Sequence, residues 1–469
     1  MKSDTLHNHP LVTGTLLLTL AGLLSRIIGF FYRIFLSHTI GAEAMGIYQL
    51  TVPLHILTIS VTSSAIQTAI SRFVAQAAVS SSPGASCNNI PPAPYENRHS
   101  IRFLLYRRPK NTFCNESCYL SAGLMLSMSL AFFCTIFLYQ LSEPIAIHFL
   151  EEPRCAPLLQ ILAFTIPFGA VHACINGYFY GLKKTFVPAV SQLLEQLVRV
   201  LSVWIFFEIS MEKHNAISLN LVAWGMVAGE LAAMLFSVSF LRQKRSQGSR
   251  FRAMEQIFLM SLPLSANRVL VNILQSMEAV MLPGQLRLYG YSNSEALSVY
   301  GILTGMALPM VLFPSVLTNS VSVMLLPIIA EAQEKKEHSY IVNAVKKTCF
   351  YSLFLGFGCT LVFLVFGNWM GEVLFSNSLA GNFIVTLGWI CPFLYLSTTL
   401  HSIINGLGKT TSTFLLNVLG LSIRIGFVLF VIPHTGMKGY LWGTLLSQIS
   451  MAVGALLLLL IRRSTGIRK

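Results

Sequence analysis

Residues 13–49 read TGTLLLTLAGLLSRIIGFFYRIFLSHTIGAEAMGIYQ. The run is apolar for the ~20 residues that a bilayer crossing demands, yet it holds Arg26 and Arg33. An arginine near mid-membrane costs roughly 2.5–3.5 kcal/mol on insertion scales. Seven residues is close to two helical turns, so both guanidinium groups leave the helix on one face. A single arginine there can snorkel to the headgroups or pair with a carboxylate. Two on one stripe point to a protein-lined cavity.

The rest of the chain agrees with a membrane setting. Of its 469 residues 54% are hydrophobic and only 11% charged, and the mean hydropathy is +0.66. So much apolar surface has no water-facing complement, which excludes a soluble multidomain protein. The first apolar run is too long for a cleavable signal and has no small-residue cleavage site, so the first helix is expected to stay.

Twelve candidate spans follow: 14–36, 47–74, 119–141, 157–178, 186–207, 219–241, 257–281, 297–318, 347–367, 383–404, 412–432 and 440–461. The termini and even-numbered loops carry 22 Lys and Arg residues and the odd-numbered loops 4. By the positive-inside rule both termini are expected in the cytoplasm. The net charge of +14 is then mostly topology, and no nucleic-acid partner is expected.

Six basic residues remain within or at the edges of spans: Arg26, Arg33, Arg72, Arg199, Arg268 and Arg424. None is lysine. Arginine stays charged and offers a planar fork of donors suited to phosphate. The opposing carboxylates are Glu195, Glu230 and Glu278, with Glu208 at a helix end. Glu195 and Arg199 are four apart on one helix and can neutralise each other; Arg424 has no such neighbour on its own helix.

The sequence also repeats itself. A shift of 225 residues lays Pro167-Phe168 on Pro392-Phe393, Gly181 on Gly406, Lys184-Thr185 on Lys409-Thr410, Gln192 on Asn417 and Arg199 on Arg424 without a gap. The chain reads as an all-α membrane protein of two six-helix halves, 1–241 and 257–469, joined by a basic cytoplasmic linker at 242–256. Because six is even, the halves share one orientation and are related by a pseudo-two-fold axis along the membrane normal. The seventh span carries Asn267, Arg268, Asn272, Gln275 and Glu278, a polar density that either lines a cavity or ties helices together. Pro309 and Pro314 predict a kink in the eighth.

Ser25-Arg26-Ile27-Ile28-Gly29-Phe30, Arg33, Ile40-Gly41, Gly46-Ile47-Tyr48, Pro53 and Ile70-Ser71-Arg72-Phe73-Val74-Ala75 resemble the opening of the stage V sporulation protein B family and the related lipid-linked oligosaccharide flippases. The resemblance is specific over the first 75 residues and looser over 150–330. It implies a monomeric flippase of the bacterial cytoplasmic membrane that moves an undecaprenyl-pyrophosphate-linked saccharide for peptidoglycan or polysaccharide synthesis. Arg26, Arg33 and Arg268 would hold the pyrophosphate between the halves. Secondary candidates for the cavity are Arg72, Arg199, Arg424, Asn272 and Glu278. Helices thirteen and fourteen, usual in that family, are missing, so a lipid-tail groove built from them is not expected.

No enzyme motif is present: there is no phosphate-binding Gly-Lys loop, HExxH or nucleophile elbow. No cofactor is expected, and transport would draw on a coupling ion or the membrane potential. Two other readings stand beside the flippase: a cation-coupled multidrug exporter of the same superfamily, and a non-transporting scaffold for envelope synthesis. Six arginines against three carboxylates weigh against the exporter.

Residues 79–118 depart from the family pattern, being rich in Pro, Ser and Asn. They read either as an expanded cytoplasmic loop or as the product of local frame-shifts in the gene. Cys87, His99, Cys114 and Cys118 match no zinc spacing, so no metal is expected.

Overall fold

The computed structural model describes residues 10–80, 114–212, 219–241, 247–335 and 337–466. Most of the irregular 79–118 loop, with Cys87 and His99, lies outside the described residues, as does 242–246 of the linker.

The described chain is helical throughout. The helices are α1 (Pro10–Ile59), α2 (Ala65–Ser80), α3 (Glu116–Gln140), α4 (Cys155–Ala163), α5 (Thr165–Gly181), α6 (Phe186–Glu212), α7 (Asn220–Ser239) and α8 (Arg250–Tyr289). They continue as α9 (Asn293–Gly301), α10 (Leu308–Leu312), α11 (Ser315–Glu334), α12 (His338–Phe375), α13 (Ser378–Gly388), α14 (Cys391–Gly406), α15 (Thr410–Phe430) and α16 (Met437–Gly466). Wide π turns occupy Ser60–Ser64 and Ile302–Ala307.

By length and apolarity eight described helices can cross a membrane, or ten if each bent pair is one span. The longest stretch, Leu16–Ala78, has 63 residues, far beyond the ~20 one crossing needs. It turns at Gly41, whose φ of 78° is the left-handed conformation glycine adopts without a Cβ penalty, so it makes two passes. The 27-residue α6 has the length of a span but carries Glu195 and Arg199, which lower its apolarity. Counted this way the described residues make twelve passes, so the start of α1 and the end of α16 lie at one end of the bundle.

The internal repeat recurs in local structure. Pass four bends by 40° between α4 and α5, and pass ten by 56° between α13 and α14. The bends fall at Phe164 and Trp389, 225 residues apart. Both second segments then end alike. Lys184 N–H donates to the Phe179 carbonyl and Lys409 N–H to Ile404, with a positive φ at Lys183 and Gly408 in the matching turn positions.

The helix α8 is shared between the halves. Its start, with Ala253 and Ile257 fully buried, sits in the core of the first half beside Ile70, Cys118 and Tyr178. There Tyr119 lies 3.0 Å from Gln256. Its far end, with Leu282 and Leu286, joins a core built from both halves. Pro263 lies within the helix between these segments.

Candidate functional site

The halves meet most tightly at the end opposite the termini. A Cβ on Gly46 would run into the Leu297 carbonyl, and one on Gly301 into the Ala42 carbonyl, so glycine at both positions is what lets α1 and α9 cross backbone to backbone. An ion network covers this crossing. Arg154 binds Glu152 at 2.6 Å and Glu43 at 2.7 Å. Ser294 donates to Glu43 at 2.6 Å, Asn293 to Glu152 at 3.0 Å, and Arg287 pairs with Glu151. The acids come from the first half and Arg287, Asn293 and Ser294 from the second. Burial pushes the Glu152 carboxyl up, but hydrogen bonds from Arg154 and Asn293 outweigh it and hold the group below the usual range.

Deeper in the bundle, each half sends an arginine onto a π turn of the other. Arg33 on α1 donates to the Thr304 carbonyl at 3.4 Å, within the turn Ile302–Ala307. Arg268 on α8 donates to the Ser64 hydroxyl and Asn272 to that of Ser60, both in the turn Ser60–Ser64. A π turn breaks the regular i to i−4 ladder and leaves polar groups aimed outward, a feature frequent at functional sites. Two turns beyond Ser64, Arg72 reaches Met260 Sδ at 4.0 Å across the same seam. Arg26, seven residues before Arg33 on the same helix, is exposed. Between them Phe30 packs on Phe313 of the second half, ring centroids 5.2 Å apart.

The intramembrane arginines divide into two classes. Arg199 pairs with Glu195 on its own helix. Arg424, expected to lack a partner on its own helix, pairs with Glu278 of α8 at 3.1 Å, and Tyr440 donates to the same carboxylate at 3.0 Å. These two and Glu278 are therefore neutralised inside the protein. Arg26, Arg33, Arg72 and Arg268 have no carboxylate partner among the described residues; they touch only a carbonyl, a hydroxyl or a thioether, or nothing. Of the eight expected site residues, the structure puts Arg33, Arg72, Arg268 and Asn272 across the seam between halves and leaves Arg26 open beside it.

With this geometry in place, similarity to known proteins can be stated. Residues 114–333 match the family model for polysaccharide biosynthesis proteins. The chain is similar to the spore-forming branch over nearly its whole length. Stage V sporulation protein B of Bacillus subtilis (strain 168) is 24% identical over 464 residues, 96% of this chain and 82% of that one. Sporulation protein YkvU of the same organism is 22% identical, covering 92% and 91%. Among solved structures, the lipid II flippase MurJ in an inward closed conformation superposes with a TM-score of 0.69 at 15% identity, covering 95% of this chain and 87% of that one. An inward-facing multidrug resistance MATE family transporter of the MOP superfamily gives 0.69 at 14% identity, covering 94% and 95%. This chain shares its two-half fold with both solved structures.

A polar cluster inside the first half was not singled out by the sequence. His172 on α5 meets Glu230 at 3.0 Å through Nδ1, and Ser191 at 3.0 Å and Asn176 at 2.9 Å through Nε2. One donor atom each from His172, Glu195 and Glu230 lie within 4.8 Å of one another. Glu195 and Glu230 stood out in the sequence as intramembrane carboxylates, but nothing there joined them to His172.

Proposed function

We propose that this chain is a flippase that carries an undecaprenyl-pyrophosphate-linked saccharide across the cytoplasmic membrane by alternating access. The observation that carries the reading is the division among the arginines. Among the described residues, Arg33, Arg72 and Arg268 at the seam between halves and Arg26 beside it have no carboxylate to neutralise them, while Arg199 and Arg424 do. Uncompensated charge within a membrane span is costly unless an anion shares the site. A pyrophosphate supplies two or more negative charges and oxygens that accept charge-assisted, often bidentate bonds from arginine. Arg33 and Arg268 would grip it from the two halves, with Arg26 and Arg72 along its path. The positive-inside pattern supports cytoplasmic termini, which leaves the ion network around Arg154 on the outer side and the tight closure there.

The multidrug-exporter reading is disfavoured by the same pairings. A cation exporter needs an uncompensated intramembrane carboxylate, and Glu195 and Glu278 are engaged by Arg199 and Arg424. The stage V sporulation protein B likeness supports a role in envelope or spore-cortex peptidoglycan synthesis. The test is a thermal-shift titration of purified protein with a polyprenyl-pyrophosphate saccharide and, in parallel, with cationic drugs. Stabilisation by the pyrophosphate lipid, lost in the Arg33→Ala/Arg268→Ala double variant, is expected. Stabilisation by the drugs alone would sink the reading.

A further inference from the structure

We propose that the apolar groove between α10 and α12 seats the polyprenyl tail of the transported lipid while its pyrophosphate lies at Arg33. The groove holds about 310 Å³. Met310 and Phe313, at the end of α10, form one wall; Phe354, Gly358 and Val362 form the other, with Met370 about two turns further along α12. A spacing of four puts Phe354, Gly358 and Val362 on one face of the helix, along about 12 Å at 1.5 Å per residue. The lining side chains offer no charge, hydroxyl or amide. The ligand such a groove suits is a hydrocarbon chain.

Gly358 is what keeps this space open. The helix α12 holds four glycines. A Cβ on Gly356 would run into Pro392, one on Gly367 into Val385 and one on Gly371 into Gly381, so those three let α12 press onto α13 and α14. A Cβ on Gly358 would meet nothing within 4 Å. Glycine inside a helix is destabilising relative to alanine, and no contact within the protein offsets that at Gly358. The omitted side chain leaves room in the groove instead. At its edges Met310 and Met370 are unbranched and flexible, so they adapt to an irregular, methyl-branched chain such as a polyprenyl tail.

Continuity with the arginine seam decides the occupant. The helix α1 borders the groove at two points. Phe30 packs on Phe313, ring centroids 5.2 Å apart, and His38 Nε2 lies 2.9 Å from the Leu374 carbonyl, one turn past Met370. Arg33 sits between Phe30 and His38, and it donates to the Thr304 carbonyl in the π turn that runs directly into α10. Thr304 is six residues from Met310, about 9 Å of helix. A pyrophosphate held by Arg33 therefore has the first units of its tail within reach of the groove. A helix from a protein partner, ~10–12 Å across, is too wide for it. A phospholipid would keep its headgroup at the membrane surface, whereas the border with α1 brackets a charge inside the span. A tail moving from lipid into the groove gains no hydrophobic transfer, because lipid is as apolar as the lining. It gains dispersion contacts, so the groove orients the lipid more than it tightens binding.

The tail assignment rests on the flippase reading, and the experiment separates the two. Protein in phosphatidylglycerol nanodiscs is irradiated with a polyprenyl-pyrophosphate saccharide that carries a diazirine in mid-tail, and the labelled peptides are mapped by mass spectrometry. Labelling concentrated on 310–314 and 354–362 is expected in wild type. In Gly358→Phe, whose ring fills the groove, it should fall by about three- to tenfold, since dispersion contacts alone are lost. Leu361→Trp adds bulk to α12 at an exposed position outside the lining and should label as wild type does. If Gly358→Phe does not purify as a folded species, Val362→Trp takes its place with the same expected loss. Even labelling of all lipid-facing helices, or unchanged labelling in the filled variant, overturns the tail site. Equal labelling of the same peptides by a diazirine phosphatidylglycerol at the same mole fraction makes the groove a seat for ordinary acyl chains and also overturns it. The head is tested with Arg33→Ala/Arg268→Ala. If that variant loses affinity for a short-tailed saccharide pyrophosphate while the groove of wild type stays unlabelled, the flippase reading stands and the tail site falls. If groove labelling persists in the double variant and a diazirine polyprenol without pyrophosphate matches it, the groove remains a polyprenyl seat and the pyrophosphate at Arg33 is overturned.

Discussion

Arg268 and Arg424 are both arginines in the membrane interior, and replacing each by alanine is expected to do opposite things. The Arg424 partner Glu278 is 7% exposed and keeps only the Tyr440 hydroxyl as a donor once the guanidinium is gone. Breaking a buried ion pair from one side costs about 3–5 kcal/mol, because a charge is left without compensation. Arg268 has only the neutral Ser64 hydroxyl. Removing it forfeits a bond worth about 1 kcal/mol and relieves an uncompensated positive charge, so stability is expected to hold or rise slightly. For ligand the order reverses. Losing two charge-assisted bonds to a pyrophosphate, each about 1.5–3 kcal/mol, weakens binding by roughly 10²- to 10⁴-fold at 1.4 kcal/mol per tenfold.

Two assays on each variant separate these effects: the thermal midpoint of purified protein, and the affinity for a polyprenyl-pyrophosphate saccharide. Arg424→Ala should lose several degrees, and adding Glu278→Gln should recover most of them, since the orphaned charge goes with it. Arg268→Ala should keep its midpoint and lose affinity, and Arg268→Lys should regain part, keeping charge without the planar fork. The division of arginines into structural and substrate-binding classes is wrong if Arg268→Ala unfolds as readily as Arg424→Ala. It is equally wrong if Arg268→Ala binds the lipid as wild type does.

Further outcomes follow from the outer closure and the topology. Gly46→Val places a branched side chain against the Leu297 carbonyl, so it should destabilise the closed end by about 1–3 kcal/mol and lengthen spin-label distances between residues 44 and 296; unchanged distances would show the crossing is not what closes that end. Glu152 has a lowered folded-state value, so its contribution to stability is present above the ordinary carboxylate pKa of about 4.3 and is lost as pH falls through the lowered value. Those distances should therefore lengthen on acidification below pH 4, and Glu152→Gln should remove part of that response; an identical acid response in the variant would rule Glu152 out. Single cysteines in 371–377 should react with an impermeant reagent from outside and those in 331–338 from inside, and the reverse pattern would invert the orientation drawn from the charge count.

What could be read from the sequence depended on how far apart the interacting groups lie. Spans are set by continuous apolar runs, and the repeat by an ungapped offset, so twelve passes and the correspondence of Lys184 with Lys409 were accessible without coordinates. The Glu195–Arg199 pair was legible because four residues make one helical turn. The Arg424–Glu278 pair was not: the partners are on α15 and α8, and nothing local in the sequence sets which helix faces which. The partners of Arg33 and Arg268 were hidden for a different reason. One is a backbone carbonyl, which every residue possesses, and it is offered only because the helix widens at Ile302–Ala307. Serine and threonine at 60–64 give no sign that a π turn forms there. Yet the two arginines that touch these turns were picked out in advance by cost alone, since a charge in an apolar run needs a reason. The sequence could show that a reason must exist at each of six arginines, and the folded chain separates the two whose reason lies inside the protein, Arg199 and Arg424, from the four that have no carboxylate partner among the described residues.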